Sequence, residues 1–350
     1  MLSGETSRAS LGTRMRNDRQ TITTSDYHTA GEPFRIVLGG VVEPEGRSVV
    51  ERRTYAEEHL DDIRRVLVNE PRGHADMYGC FVTPPDDAGA DLGAVFFHNA
   101  GYSTACGHGM IALVTWALET GRLAGAEPTT TVTLDVPSGR VPTVATFDGT
   151  SVSSVRFRNV PAYVHALDQR VTTARGTISC DIAFGGAFYA SVDAGALGLE
   201  VAPRDLRAFI DLGREIKREV ENAYNIVHPT EPHLRDIYGV TFFETATDTP
   251  GPSQRNVTVF ADGEVDRSPC GSGTSARLAI LHAREELAVD TTFTHRSLID
   301  TQFTGAIVGH TDVAGRAAVV TEIGGSAYPT GHHEFLVDPR DPLRTGFLLR

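Results

Sequence analysis

Lysine is almost missing from the 350-residue chain: Lys217 is the only one. A cofactor held as a lysine Schiff base would have to use that side chain. It sits in a charged run from Arg204 to Glu221 that reads as an amphipathic surface helix, with Phe209, Ile210, Leu212 and Ile216 inward. Cysteine is scarce too. Cys80, Cys106, Cys180 and Cys270 form no CxxC pair, which excludes the usual structural zinc patterns and a dense disulfide scaffold. Free thiols in a reducing cytoplasm fit better. Positive charge is in deficit, 32 Lys and Arg against 45 Asp and Glu, for a formal net charge of −13. Binding to nucleic acid or anionic membrane requires clustered cations, so the expected partner is a small molecule. No stretch reaches the ~18 apolar residues of a membrane span. Residues 1–20 carry Arg8, Arg14, Arg16 and Arg19 without the apolar centre of a signal peptide, and read as a disordered lead-in. The expected location is cytoplasmic.

Glycine, by contrast, is abundant. Its 35 residues exceed the roughly 7% average and predict many tight turns. The length exceeds one ordinary core, so two domains are expected. Two passages echo each other: VFFHNAGYSTACGHG at 95–109 and VFADGEVDRSPCGSG at 259–273. Each runs from a Val-Phe strand end through a polar loop to CGxG, and eleven positions separate Val95 from Cys106 and Val259 from Cys270. Each CGxG then opens an apolar helical stretch, Ile111, Leu113, Trp116 and Leu118 in one and Leu278, Ile280 and Leu281 in the other. Gly31–Phe34 and Gly185–Phe188 form a weaker pair, 75 and 85 residues ahead of the cysteines. Two copies of more than 100 residues indicate a duplicated domain rather than a solenoid. The expected product is two similar lobes with a ligand cleft between them.

A cysteine just ahead of a helix lies where unpaired N–H groups and the dipole favour negative charge, which can lower a thiol from about 8.5 to roughly 3.5–7.5. The same N–H groups can hold a carboxylate. Two such sites across one cleft would offer a thiol to each face of one small amino acid. Inversion at Cα needs that arrangement, with one group removing a proton and another returning it on the opposite face, while fixed donors stabilise charge on the carboxylate. Cys80 and Cys180, beside strand residues and outside the repeat, read as small buried hydrophobes.

The blocks DYHTAGEP (26–33), EPRGHADMYG (70–79), GYSTACGHG (101–109), DIAFGGAFYA (181–190), DRSPCGSGTSA (266–276) and DPLRTGFLL (341–349) resemble the proline racemase family in this order. That family includes proline racemases, 4-hydroxyproline 2-epimerases and trans-3-hydroxy-L-proline dehydratases. The resemblance implies an α+β, diaminopimelate-epimerase-like fold: two pseudo-symmetric lobes, each a sheet or barrel wrapped around a central helix, with the active site between them. The first lobe would span 21–160 and the second 161–340, with a last strand near 341–350 returning to the first. Carried over by position, Cys106 and Cys270 are the catalytic pair. Gly107, His108, Asp266, Gly271 and Ser272 surround the substrate carboxylate and amine, and Tyr78 and Phe260 wall the ring pocket. His28, Glu32, Arg72, His74 and Asp76 are supporting residues. No cofactor or metal is implied, the substrate is proline or hydroxyproline, and a homodimer is the ordinary prior.

The resemblance separates family members at the second catalytic position. Racemases and epimerases usually have Cys there and the dehydratases typically Thr, because loss of a 3-hydroxyl completes dehydration without reprotonation. Cys270 therefore favours a racemase or 2-epimerase. DMYG at 76–79, the HNAGYS loop at 98–103 and VFADGEVDRSP at 259–269 look more like the dehydratase branch. A metal site on Cys106, His108 and His98, or a binding protein that has lost its chemistry, would be the other readings. Oxidation is expected to inactivate a two-thiol enzyme, through a Cys106–Cys270 disulfide.

Overall fold

The computed structural model describes residues 19–349. The lead-in expected over 1–20 therefore lies outside the described residues except at its end, where Arg19 pairs with Asp338 at 3.0 Å and Gln20 already begins a strand.

The first half opens with β1 (Gln20–Thr29) and β2 (Glu32–Gly39), an antiparallel hairpin turned at Ala30 and Gly31, both at positive φ. A crossover through α1 (Val49–His59) and α2 (Asp61–Val68) sets β3 (Tyr78–Thr83) parallel to β2. β4 (Leu92–His98) and the short β5 (Gly101–Ser103) follow antiparallel and lead into α3 (Gly107–Glu119). β6 (Thr129–Val136), parallel to β4, then runs with β7 (Gly139–Phe147) and β8 (Val152–Arg158) as a meander.

The second half repeats this plan. β9 (Tyr163–Thr173) pairs with β10 (Gly176–Phe184), which makes a hairpin with β11 (Phe188–Asp193). α4 (Leu206–Ala223) carries the crossover to β12 (Ile237–Thr245), parallel to β11. β13 (Ser253–Phe260) and β14 (Glu264–Asp266) lead into α5 (Gly271–Ala283). β15 (Phe293–Arg296), parallel to β13, β16 (Gln302–Val313) and β17 (Arg316–Gly325) complete it. Gly31–Phe34 and Gly185–Phe188 thus mark corresponding hairpins. Their spacing to the cysteines differs because both the crossover from β11 to β12 and the following hairpin of β12 and β13 are longer than their counterparts, β2 to β3 and the hairpin of β3 and β4.

β18 (Ala327–Val337) pairs with β1 along its length, the place that β9 takes beside β10. The chain thus returns to the first half before 341–350. The tail adds one bridge, Phe347 to Glu70, and Arg72 holds it by donating to the carbonyls of Leu336 and Arg344. β8 and β17 pair antiparallel and join the halves.

The wrapping follows from the two central helices. Residues 107–118 of α3 and 271–281 of α5 are all buried, and a helix without a polar face must be enclosed. α3 lies in a core with Phe34, Phe96 and Phe157 that also takes in Leu278 and Phe303 from the second half. Phe184, Phe188, Phe209 and Phe242 anchor a second core. α4 buries Phe209, Ile210, Leu212 and Ile216 as its pattern predicts. Cys80 and Cys180 lie in the first and second cores. Among the described residues no helix is long and apolar enough to cross a membrane.

Candidate active site

The N-termini of α3 and α5 meet head to head, and glycine makes the approach possible. A Cβ on Gly107 would stand 2.7 Å from the Gly271 Cα, and one on Gly271 would stand 2.8 Å from the Gly107 Cα. Any side chain would push the helices apart. The second glycine of each CGxG makes room for the thiol: a Cβ on Gly109 would lie 2.6 Å from Cys106 Sγ, and one on Gly273 2.9 Å from Cys270 Sγ. Both repeats are thus spent on bringing two N-termini and two sulfurs together.

The two thiols sit differently. Cys106 has ordinary extended backbone, and its Sγ accepts from the Gly109 N–H at 3.3 Å. The ring nitrogens of His108 lie 3.5 Å from the same sulfur. Cys270 is held at φ 62°, ψ 98°, a left-handed conformation that costs a residue with a Cβ about 1–3 kcal/mol and that clusters at functional sites. Its Sγ donates to the Tyr189 hydroxyl at 3.7 Å, and that hydroxyl pairs with Ser272 Oγ at 2.7 Å.

The residues given catalytic or substrate-binding roles from the sequence all reach this one cavity, where Cys106, Gly107, His108, Tyr78, Phe260, Asp266, Cys270, Gly271 and Ser272 line it, whereas His28, Glu32, Arg72, His74 and Asp76 do not. Sequence reasoning missed Tyr189 and Tyr238, which line it as well. Tyr189 directly follows the Gly185–Phe188 echo, a signal that was present. Tyr238 carries no motif. His98 does not join Cys106 and His108 in a metal set, since its Nδ1 faces Glu264 at 3.1 Å. Supporting acids sit just outside. The Glu32 carboxylate accepts from the Arg267 N–H at 2.7 Å, and Asp76 pairs with the Arg267 guanidinium at 3.2 Å. These contacts, with the His98–Glu264 pair, cross between the halves.

Burial governs the electrostatics. It pushes the Cys106 thiol well above the ordinary range, against the pull of the Gly109 N–H. Cys270 is likewise pushed up by burial, and the Asp266 carboxylate adds to the shift. The lowered thiol values expected from the helix N-termini are therefore reversed in the closed cavity: loss of water costs a thiolate more than a helix end and one N–H return. Burial holds His108 down at about 3, so its ring is neutral. Asp266 is pushed up to about 6 by burial, against hydrogen bonds from Ser268. Tyr78, Tyr189 and Tyr238 are raised well above the usual phenol value by burial and stay protonated donors.

Two pseudo-symmetric halves, each closed around a buried apolar helix, with a cysteine ahead of each helix facing one shared cavity, define a diaminopimelate-epimerase-like fold. A PhzF-family phenazine biosynthesis protein of Bacillus anthracis shares it at TM-score 0.55 and 14% identity, over 91% of this chain and 99% of the other. More specifically, the sequence profile of the proline racemase family matches residues 24–348, and the chain belongs to that family. It is 47% identical over 327 residues to a trans-3-hydroxy-L-proline dehydratase of Bacillus cereus, covering 93% of this chain and 98% of the relative. It is 44% identical to a 3-hydroxyproline 2-epimerase of Burkholderia multivorans, covering 95% and 99%. The crystal structure of a hydroxyproline epimerase from Agrobacterium vitis with bound trans-4-hydroxy-L-proline superposes at TM-score 0.88 with 35% identity, over 94% of this chain and 96% of that one.

Proposed function

We propose that this chain is a cofactor-independent 2-epimerase of hydroxyproline that works by two-thiol proton transfer at Cα. The observation that carries the reading is the pair of buried cysteines ahead of two abutting helix N-termini in one cavity. The N–H groups of Gly107, His108, Gly271 and Ser272 belong to first helical turns, where the helix leaves them over. They bind the substrate carboxylate and take up the charge that builds there as the Cα proton leaves. Asp266, ionised above about 6, holds the ring ammonium. That ammonium favours a thiolate, which burial alone opposes. Cys106 as thiolate takes the Cα proton and becomes a thiol, and the Cys270 thiol delivers its proton to the opposite face and becomes a thiolate. The reverse direction exchanges the two roles. We place the cleft between a first lobe, 21–160 closed by β18, and a second lobe from 161 onward, and we place the protein in the cytoplasm, where free thiols persist.

A second reading, dehydration of trans-3-hydroxy-L-proline, is favoured by the name of the 47% identical relative. There Cys106 would remove the Cα proton and the 3-hydroxyl would leave as water, giving a pyrroline carboxylate. Proton NMR in D2O with L-proline, trans-4-hydroxy-L-proline and trans-3-hydroxy-L-proline separates the two. Deuterium at Cα with inversion is expected. Conversion of the 3-hydroxy substrate to pyrroline carboxylate, with no inversion of the other two, would replace the epimerase assignment.

The pH dependence follows from the site. Asp266 takes up a proton as the pH drops through about 6 and releases the cationic amine, so kcat/KM is expected to fall there. Asp266→Asn should erase that step and raise KM at neutral pH, read from pH–rate profiles of both proteins. Thiol reagents offer a separate check: peroxide is expected to abolish activity and dithiothreitol to restore it.

A further inference from the structure

We propose that Thr274, Asn256 and His295 are positioning residues that lock Cys270 in the conformation from which its sulfur meets the substrate, an inference that rests on the two-thiol reading above. Cys270 holds φ 62°, ψ 98°, and such a conformation persists only where the surroundings over-determine it. Here both peptide groups that flank its Cα are pinned. The Pro269 carbonyl accepts from Thr274 Oγ1 at 3.1 Å and from Asn256 Nδ2 at 3.2 Å. The Cys270 N–H donates to Ser268 Oγ at 3.1 Å, and the Cys270 carbonyl accepts from the Thr274 N–H at 2.7 Å. Thr274 thus holds the peptide on each side of the strained residue, one with its side chain and the other with its backbone.

His295 fixes the direction of the Thr274 hydroxyl. Its Nδ1 lies 2.8 Å from Thr274 Oγ1. Burial, with the Arg277 charge adding to it, holds the ring down at about 3, so the imidazole is neutral and carries one ring proton. A hydroxyl has one proton to give. Thr274 gives it to Pro269, so His295 Nδ1–H donates to Thr274. The three side chains come from three elements, Asn256 from β13, Thr274 from α5 and His295 from β15, and all are fully buried. Hydrogen bonds made away from water hold their groups more firmly than exposed ones. The duplication supplies an internal comparison. Counted from Val95 and Cys106, Leu92 and Met110 take the places that Asn256 and Thr274 take from Val259 and Cys270. Both belong to the apolar core around α3. The carbonyl ahead of Cys106 accepts from Ser103 Oγ within its own loop, and Cys106 keeps ordinary extended backbone. The Asn and Thr side chains and the strained cysteine therefore occur together in the second copy, and the first copy has neither.

Thr274→Val removes the hydroxyl and keeps the shape, whereas Thr274→Ser keeps the hydroxyl. Cα-proton exchange of trans-3-hydroxy-L-proline and trans-4-hydroxy-L-proline gives kcat and KM for each protein, and crystal structures give the Cys270 dihedrals. Thr274→Val is expected to lower kcat about 10- to 100-fold, the cost of misplacing a reacting group by up to about 1 Å. KM should change little, because Asp266 and the helix N–H groups are untouched. Thr274→Ser should restore most of the loss. In Thr274→Val the Cys270 backbone should leave positive φ while Cys106 stays in place. Asn256→Ala, which leaves Thr274 intact, carries the same readouts should Thr274→Val fail to fold. A wild-type kcat, equal losses in Thr274→Val and Thr274→Ser, or a Cys270 that keeps its φ and its Sγ position overturns the assignment. If Cys270→Ser retains turnover, the two-thiol reading fails, and the Cys270 dihedrals in Thr274→Val still decide whether these residues hold it.

Discussion

Cys106→Ser and Cys270→Ser are each expected to lower Cα-proton exchange by about 10²–10⁴-fold, the range in which a positioned acid or base contributes. Serine keeps the shape and changes the proton affinity. Its alkoxide is far less accessible than a thiolate, and a cavity that already pushes both thiols upward makes ionisation harder still. Loss in both variants is the mark of two-base chemistry, because each direction of inversion needs one sulfur to take and the other to give. Both variants should fold with a modestly lowered melting temperature, since Cys106 and Cys270 pack in buried apolar clusters where a smaller, more polar hydroxyl fits less well. The pair of variants also discriminates between outcomes. If Cys106→Ser abolishes turnover of trans-3-hydroxy-L-proline while Cys270→Ser retains it, the proton returned by Cys270 is not needed and the enzyme is a dehydratase.

Gly271→Ala is expected to destabilise the protein by about 1–3 kcal/mol, the usual cost of overpacking a filled core, and to lower activity about a hundredfold. The new methyl would lie 2.8 Å from the Gly107 Cα and 3.0 Å from the Phe157 ring. Neither can yield cheaply, as one is helix backbone and the other a fully buried ring. The helices must separate, and each carries a thiol and part of the proposed carboxylate cradle. A displacement of about 1 Å in reacting groups costs on the order of 10²-fold. Gly107→Ala should behave alike, with its methyl 2.7 Å from the Gly271 Cα. Gly309→Ala serves as the control: its methyl would meet only Val320 at 4.0 Å, so both activity and melting temperature should stay near wild type. Denaturation curves and exchange rates on the four proteins check the set. Normal activity in Gly271→Ala would mean that the abutting helix ends are not what aligns the sulfurs.

Much of the architecture could be read from residues alone because duplication leaves a regular trace. The equal spacing from Val95 to Cys106 and from Val259 to Cys270 reflects a strand, a short return strand and a helix start built twice. The apolar character of both helices foretold that they would be enclosed. The return of the chain was harder to place. β18 alternates less clearly, with Thr330, His332, His333 and Glu334 exposed or half-exposed, because it is an outer strand held mainly by backbone pairing to β1. The block at 341–349 reaches the first half through the Phe347–Glu70 bridge and the Arg72 contact, and the returning strand is β18 ahead of it.

The sequence by itself determined the local chemistry: which cysteines precede helices, which glycines flank them, and that no lysine lies near them to hold a Schiff base. Those features depend on neighbours a few positions apart. Only the tertiary structure decided the rest. Tyr78 and Tyr238 are 160 residues apart in sequence, and their hydroxyl contact exists because two sheets close on one another. The ionisation of the thiols was decided there as well. A helix N-terminus is a local property that favours a thiolate, whereas burial is a property of the whole fold, and in this cavity the removal of water outweighs the helix end.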